Sequence, residues 1–96
     1  MSTLDQIAIR IIKEQELIIG PLAWKEAEKV DGIHIKNPKT GELTLTDADP
    51  KITIDHLVAQ YERLFGRASH EACREAVAGM LADLSPAETP SSLLVA

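Results

Sequence analysis

The sequence predicts an α+β fold that is mostly α: four helices with one β-hairpin between the second and the third, in the order α-α-β-β-α-α. Three observations carry this expectation. Apolar residues recur at spacings of three and four over most of the chain, they alternate strictly only between Ile33 and Thr46, and the first apolar run is broken at Gly20-Pro21. Ninety-six residues make one small domain. It is expected over residues 1–85, followed by a Pro/Ser tail over 86–96 that ends in an apolar LLVA.

In the first helix Thr3 is the expected cap, with Gln6 completing a capping box and Asp5 in the positive first turn. Leu4, Ile7, Ala8, Ile11, Ile12, Ile18 and Ile19 form one apolar stripe, in which Gln15 is the single polar member. Ile9 and Leu17 fall outside that stripe, so the helix carries more apolar surface than one buried face requires. Pro21 lacks the N–H that would bond the carbonyl of Leu17, and Gly20 tolerates the left-handed backbone that ends helices. A sharp break or hinge is therefore expected there. Proline also suits the start of a helix, and LAWKEAEKV supplies a short second one that ends near Asp31-Gly32.

Ile33 and Ile35 alternate with His34 and Lys36, and Leu43 and Leu45 with Glu42, Thr44 and Thr46, across the turn formers NPKTG. A lone hairpin is marginal in water, so its apolar face must rest on helices or on a second chain. The third helix is expected from about Ile52 or Thr53 to Phe65, after a cap at Asp47 or Asp49, with Ile54, Leu57, Val58, Tyr61, Leu64 and Phe65 facing inward. Gly66 ends it. Ser69 is the expected cap of the fourth helix, along which Ala72, Cys73, Ala76, Val77, Met80, Leu81 and Leu84 repeat at three and four.

Composition limits the function classes. Net charge is -5, with six Lys/Arg against eight Asp/Glu in residues 1–48 and four against seven in 49–96, so no basic stripe exists for nucleic acid. The run LIIGPLAW is far shorter than the roughly 20 apolar residues that span a bilayer. MSTLDQIAIRIIKEQ has no signal-peptide pattern and Cys73 is the only cysteine, so a cytoplasmic protein without an internal disulfide is expected.

Candidate chemistry is sparse. His70 and Cys73 share a helix face, but zinc needs three or four ligands, and Cys73 belongs to an apolar stripe; no metal or other cofactor is expected. Counted from Asp47, the positions that an EF-hand gives to glycine and glutamate hold Ile52 and Val58. GRASH, Gly66 to His70, is the best small anion site, with Arg67, Ser69 and His70 at a helix start and Arg63 one turn earlier. No catalytic constellation of nucleophile and base, and no phosphate-cradling glycine loop, is present. The reading that follows is a small non-enzymatic interaction or regulatory module. It forms a homo-oligomer, most simply a dimer, and is open to another protein partner. Ile9, Leu17, Ile18 and Ile19 are the candidate interface, with Leu93, Leu94 and Val95 docking on the body, on a second copy or in a partner's groove. The alternative is a regulatory domain that binds a small molecule, an anion or a metal.

Overall fold

The computed structural model describes residues 3–37, 39–46, 49–85 and 87–93. Helix α1 (Thr3–Ile19) leads into α2 (Leu22–Glu28), a hairpin of β1 (Ile33–Asn37) and β2 (Glu42–Leu45), then α3 (Pro50–Phe65) and α4 (Arg67–Val77). Two single 3-10 turns follow at Leu81–Asp83 and Ser91–Leu93. The architecture is the expected one, mostly helical with an antiparallel hairpin between the second and third helices.

Helix α1 is the central element, in contact with α2, α3, α4 and β2. Its stripe enters the core as the periodicity demands: Ile7, Ala8, Ile11 and Ile12 are completely buried against Ile54, Leu57, Val58 and Tyr61 of α3 and Cys73 and Val77 of α4. The break falls at Gly20-Pro21. The Gly20 amide donates to the Glu16 carbonyl at 2.8 Å and closes the last turn, with Gly20 at φ +72°, and Pro21 then stands just before α2. Two further bonds brace this elbow. Trp24 Nε1 donates across it to Glu16 Oε2 at 2.7 Å, and the Tyr61 hydroxyl donates to the Ala23 carbonyl at 2.6 Å, tying α3 to α2.

The hairpin pairs within the chain, Ile33 with Leu45, His34 with Thr44 and Ile35 with Leu43, before a bulge lets Asn37 face Glu42. Asn37 shapes the turn by accepting from the Lys39 amide on its side chain at 3.0 Å and from the Gly41 amide on its carbonyl at 2.9 Å. Leu43 is buried, and the hairpin rests on α1 through β2 and on α2 through β1.

Several boundaries differ from expectation. Helix α2 stops at Glu28 and a turn runs on to Gly32, whose φ of +92° suits only glycine. Helix α3 starts two residues early because Asp49 caps it, its side chain accepting from the Lys51 amide, and Pro50 occupies the first turn. Asp47 lies outside the described residues. Helix α4 starts at Arg67, capped by Gly66 rather than by Ser69, and ends at Val77 instead of continuing to Leu84. The three-four pattern survives past its end, with Met80, Leu81 and Leu84 still packed on the core from a turn and a 3-10 segment; Gly79 in that stretch weakens a continuous helix.

Residues 87–93 lie against the body. Thr89, Pro90 and Leu93 are buried, and Ser91–Leu93 contact α3.

Candidate functional site

Several large apolar side chains stay exposed at the end of α1, the start of α2 and the end of α3. Leu17 is 82% exposed, Ile18 59%, Leu22 43% and Leu64 44%. Leu17, Ile18 and Leu22 flank the Gly20-Pro21 break, with Leu17 on a different face of α1 from its buried stripe, and Leu64 is in the last turn of α3. Gln60 reaches Glu26 and Tyr61 reaches Ala23, so α3 runs toward the start of α2 as it ends, and Leu64 lies one turn beyond Gln60 on that side. Leu17 and Ile18 are the last turn of α1, directly before the break that Leu22 follows. Among the described residues the one other strongly exposed large apolar side chain is Ile52, in the first turn of α3.

Beside this patch runs a cleft of ≈ 480 Å³ lined by Glu16, Pro21, Trp24, Lys25, Glu28 and Lys39. Its charges are of both signs. Nearby, Glu26 accepts from Lys29 Nζ at 3.0 Å and from Gln60 Nε2 at 2.9 Å, and these bonds, Lys29 first, hold its carboxyl below the usual carboxylate range.

Of the residues expected at an interface, Leu17 and Ile18 are on this surface and two others are not. Ile9 is partly buried under the hairpin turn, where its Cγ2 would stand 3.5 Å from a Cβ on Gly41, and Ile19 is packed on the core. Leu93 is buried within its own chain, and Leu94 and Val95 lie outside the described residues. Leu22 and Leu64 are exposed as well, outside the set expected from the sequence. Leu22 carries no signal beyond its place next to a break, and Leu64 falls on the inner stripe of α3 by spacing alone.

The anion set does not converge. Arg63 donates to Gln60 at 2.7 Å and Arg67 is exposed, while Ser69 is buried and turns its hydroxyl to Gln15 Oε1 at 3.2 Å. His70 holds the Glu62 carboxylate through Nδ1 and the Ser92 carbonyl through Nε2, so an acidic group already occupies the position an anion would need. Cys73 is buried, 3.5 Å from Gln15 Nε2, and burial pushes its thiol up to about 12 against the weaker pull of that contact. A thiol so held is no nucleophile near neutrality. Among the described residues no group of three His, Cys, Asp or Glu is placed to hold a metal ion, and no helix is long and apolar enough to cross a membrane. The chain matches no protein-family model, and neither the curated proteins nor the solved structures contain a significant match to it.

Proposed function

We propose that this protein is a small non-enzymatic interaction module, and that it pairs with a second copy of itself through the elbow end. The observation behind this reading is the exposure of Leu17, Ile18 and Leu22 on both sides of the break, with Leu64 exposed in the last turn of α3, in a molecule whose other large apolar side chains are mostly covered. Full burial of an aliphatic side chain stabilises by about 1.5–3 kcal/mol, so the four, scaled by exposure, offer about 3–7 kcal/mol per protomer and about twice that per dimer. Association costs about 4–15 kcal/mol in lost freedom, a term of the same size, so the pairing proposed is a weak one. The mixed charges of the adjoining cleft, Lys25 and Lys39 beside Glu16 and Glu28, suit a two-fold contact in which each sign meets its opposite.

Sedimentation velocity over roughly 1–200 µM tests the pairing, a range suited to weak association. The native chain should shift from monomer to dimer across it, and Leu17→Glu with Ile18→Glu should remain monomeric with an unchanged far-UV spectrum, because both side chains are already in water. A native chain that stays monomeric at the top of the range defeats the proposal.

A further inference from the structure

The segment Ser91–Leu93 is held by an unusually complete set of contacts. Every polar atom of Ser92 is used: its amide and its hydroxyl both donate to Asp55 Oδ1, at 2.9 and 2.6 Å, and its carbonyl accepts from His70 Nε2 at 2.6 Å. Ser91 Oγ donates to Asp55 Oδ2 at 2.9 Å, and upstream Lys51 Nζ donates to the Ala87 carbonyl at 2.7 Å. Leu93 is buried and lines a cleft of ≈ 460 Å³ with Arg74, Ala78, Leu81 and Ala82. Together these contacts strap the C-terminal segment across α3 and α4.

His70 makes the strap sensitive to protons. Its Nδ1 meets the Glu62 carboxylate and its Nε2 meets the Ser92 carbonyl, so two acceptors flank one ring. A neutral imidazole has a single N–H, and both contacts are satisfied only while the His70–Glu62 pair carries one extra proton. When that proton leaves, the remaining N–H goes to the stronger, charged acceptor, Glu62, and Nε2 turns a lone pair toward the Ser92 carbonyl. The bond that is lost is the one to the strap. We propose that His70 is a proton-dependent latch: the segment Ser91–Leu93 is docked most firmly when the pair is protonated, and it loosens as pH rises, withdrawing Leu93 from the α4 cleft.

The charged surroundings are consistent with this assignment. From α3, Glu62 touches the ring and Asp55 binds the same serine, while Arg63 is turned to Gln60. On α4, Arg74 pairs with Glu71 at 3.1 Å and Arg67 is exposed, and from α1 the Glu14 carboxylate acts on Cys73, one turn along from His70. Ser91, Ser92 and Leu93 have no ionisable side chain. The latch is independent of pairing at the elbow.

Hydrogen exchange of the full chain tests it, with each amide's rate divided by its intrinsic rate at the same pH. Between about pH 5.5 and 8.5, protection of the Ser92 and Leu93 amides should fall about tenfold, the weight of one hydrogen bond. The amides of Ile11 and Ile12 in the core should keep theirs. His70→Gln, whose amide donates at any pH, should flatten the change. Glu62→Gln, which removes the competing carboxylate, should shrink it. Equal protection across the window, a fall that persists in both variants, or a fall shared by the core amides would each overturn the latch.

Discussion

Gln15 is the one polar residue in the stripe of α1, and replacing it with methionine shows what its network contributes. The side chain is completely buried; its Nε2 donates to the Ser69 carbonyl at 3.2 Å and approaches Cys73 Sγ at 3.5 Å, and its Oε1 accepts from the Ser69 hydroxyl at 3.2 Å. Methionine preserves the volume, so little cavity forms. What changes is that a buried serine hydroxyl loses its acceptor, which costs about 1–3 kcal/mol. For a domain of this size each kcal/mol lowers Tm by about 4–8 °C, so Gln15→Met should melt roughly 5–20 °C lower. Ser69→Ala alone should cost about as much, because it leaves the buried Gln15 Oε1 without its donor although Nε2 keeps the Ser69 carbonyl. The double variant is the informative one: with both partners apolar nothing buried is left unpaired, and it should be more stable than Gln15→Met. Urea unfolding followed by circular dichroism measures all four proteins. Losses that simply add, with no coupling between the two sites, would refute the reasoning and mean that the hydroxyl finds another partner.

Two further outcomes follow from groups already described. Burial raises the Cys73 thiol to about 12 in the folded chain, so between its unfolded value and that point the unfolded chain gives up a proton that the folded one keeps; stability is fully present below the unfolded value and falls as pH rises, by up to about 1.4 kcal/mol per unit. Cys73→Ala should therefore flatten the decline in urea midpoint above about pH 9, and the native thiol should resist a water-soluble disulfide reagent until the protein unfolds. Gly41 and Gly20 have φ of +79° and +72°, but a Cβ on Gly41 would stand 2.9 Å from Lys13 Cε whereas one on Gly20 would meet nothing within 4 Å. Alanine at either site should cost roughly 1–2 kcal/mol for the left-handed backbone, with the Gly41 variant lower by only the small cost of moving a flexible lysine; equal or reversed losses would show that Lys13 is not held against the turn.

What could be read from the sequence was whatever repeats locally. The period of 3.6 in α1 and α3, the alternation from Ile33 to Leu45 and the Gly20-Pro21 interruption each leave a mark within a few residues, and those elements lie where the pattern puts them. Ser69 shows the opposite case. A serine shortly after the glycine that ends one helix reads as the cap of the next, yet Gly66 occupies the cap position and the hydroxyl turns inward to a glutamine 54 positions away in sequence. Leu64 obeys the inner spacing of α3, yet in the last turn of that helix it is exposed. Ile9 was surplus on its own helix until the hairpin turn covered it. The contacts that assemble around Ser92 join residues 22 and 37 positions apart, and no window on the chain brings them together.

The same reasoning decides how two copies would meet. A hinge at Gly20-Pro21 would let α1 leave its domain and exchange with a neighbour, and the sequence leaves that route open. The structure adds two facts that weigh against it. Trp24–Glu16 and Tyr61–Ala23 fasten both sides of the break, and α1 itself places Ile7, Ile11 and Ile12 at the centre of the core. Withdrawing those three isoleucines exposes about 5–9 kcal/mol of buried side chain, which is comparable to the whole stability of a small domain at about 5–15 kcal/mol. Exchange would therefore require nearly complete unfolding. Leu17, Ile18, Leu22 and Leu64 need no such step, because they are already in water on a braced end, so the pairing proposed here is a docking of folded protomers in which α1 keeps its own core.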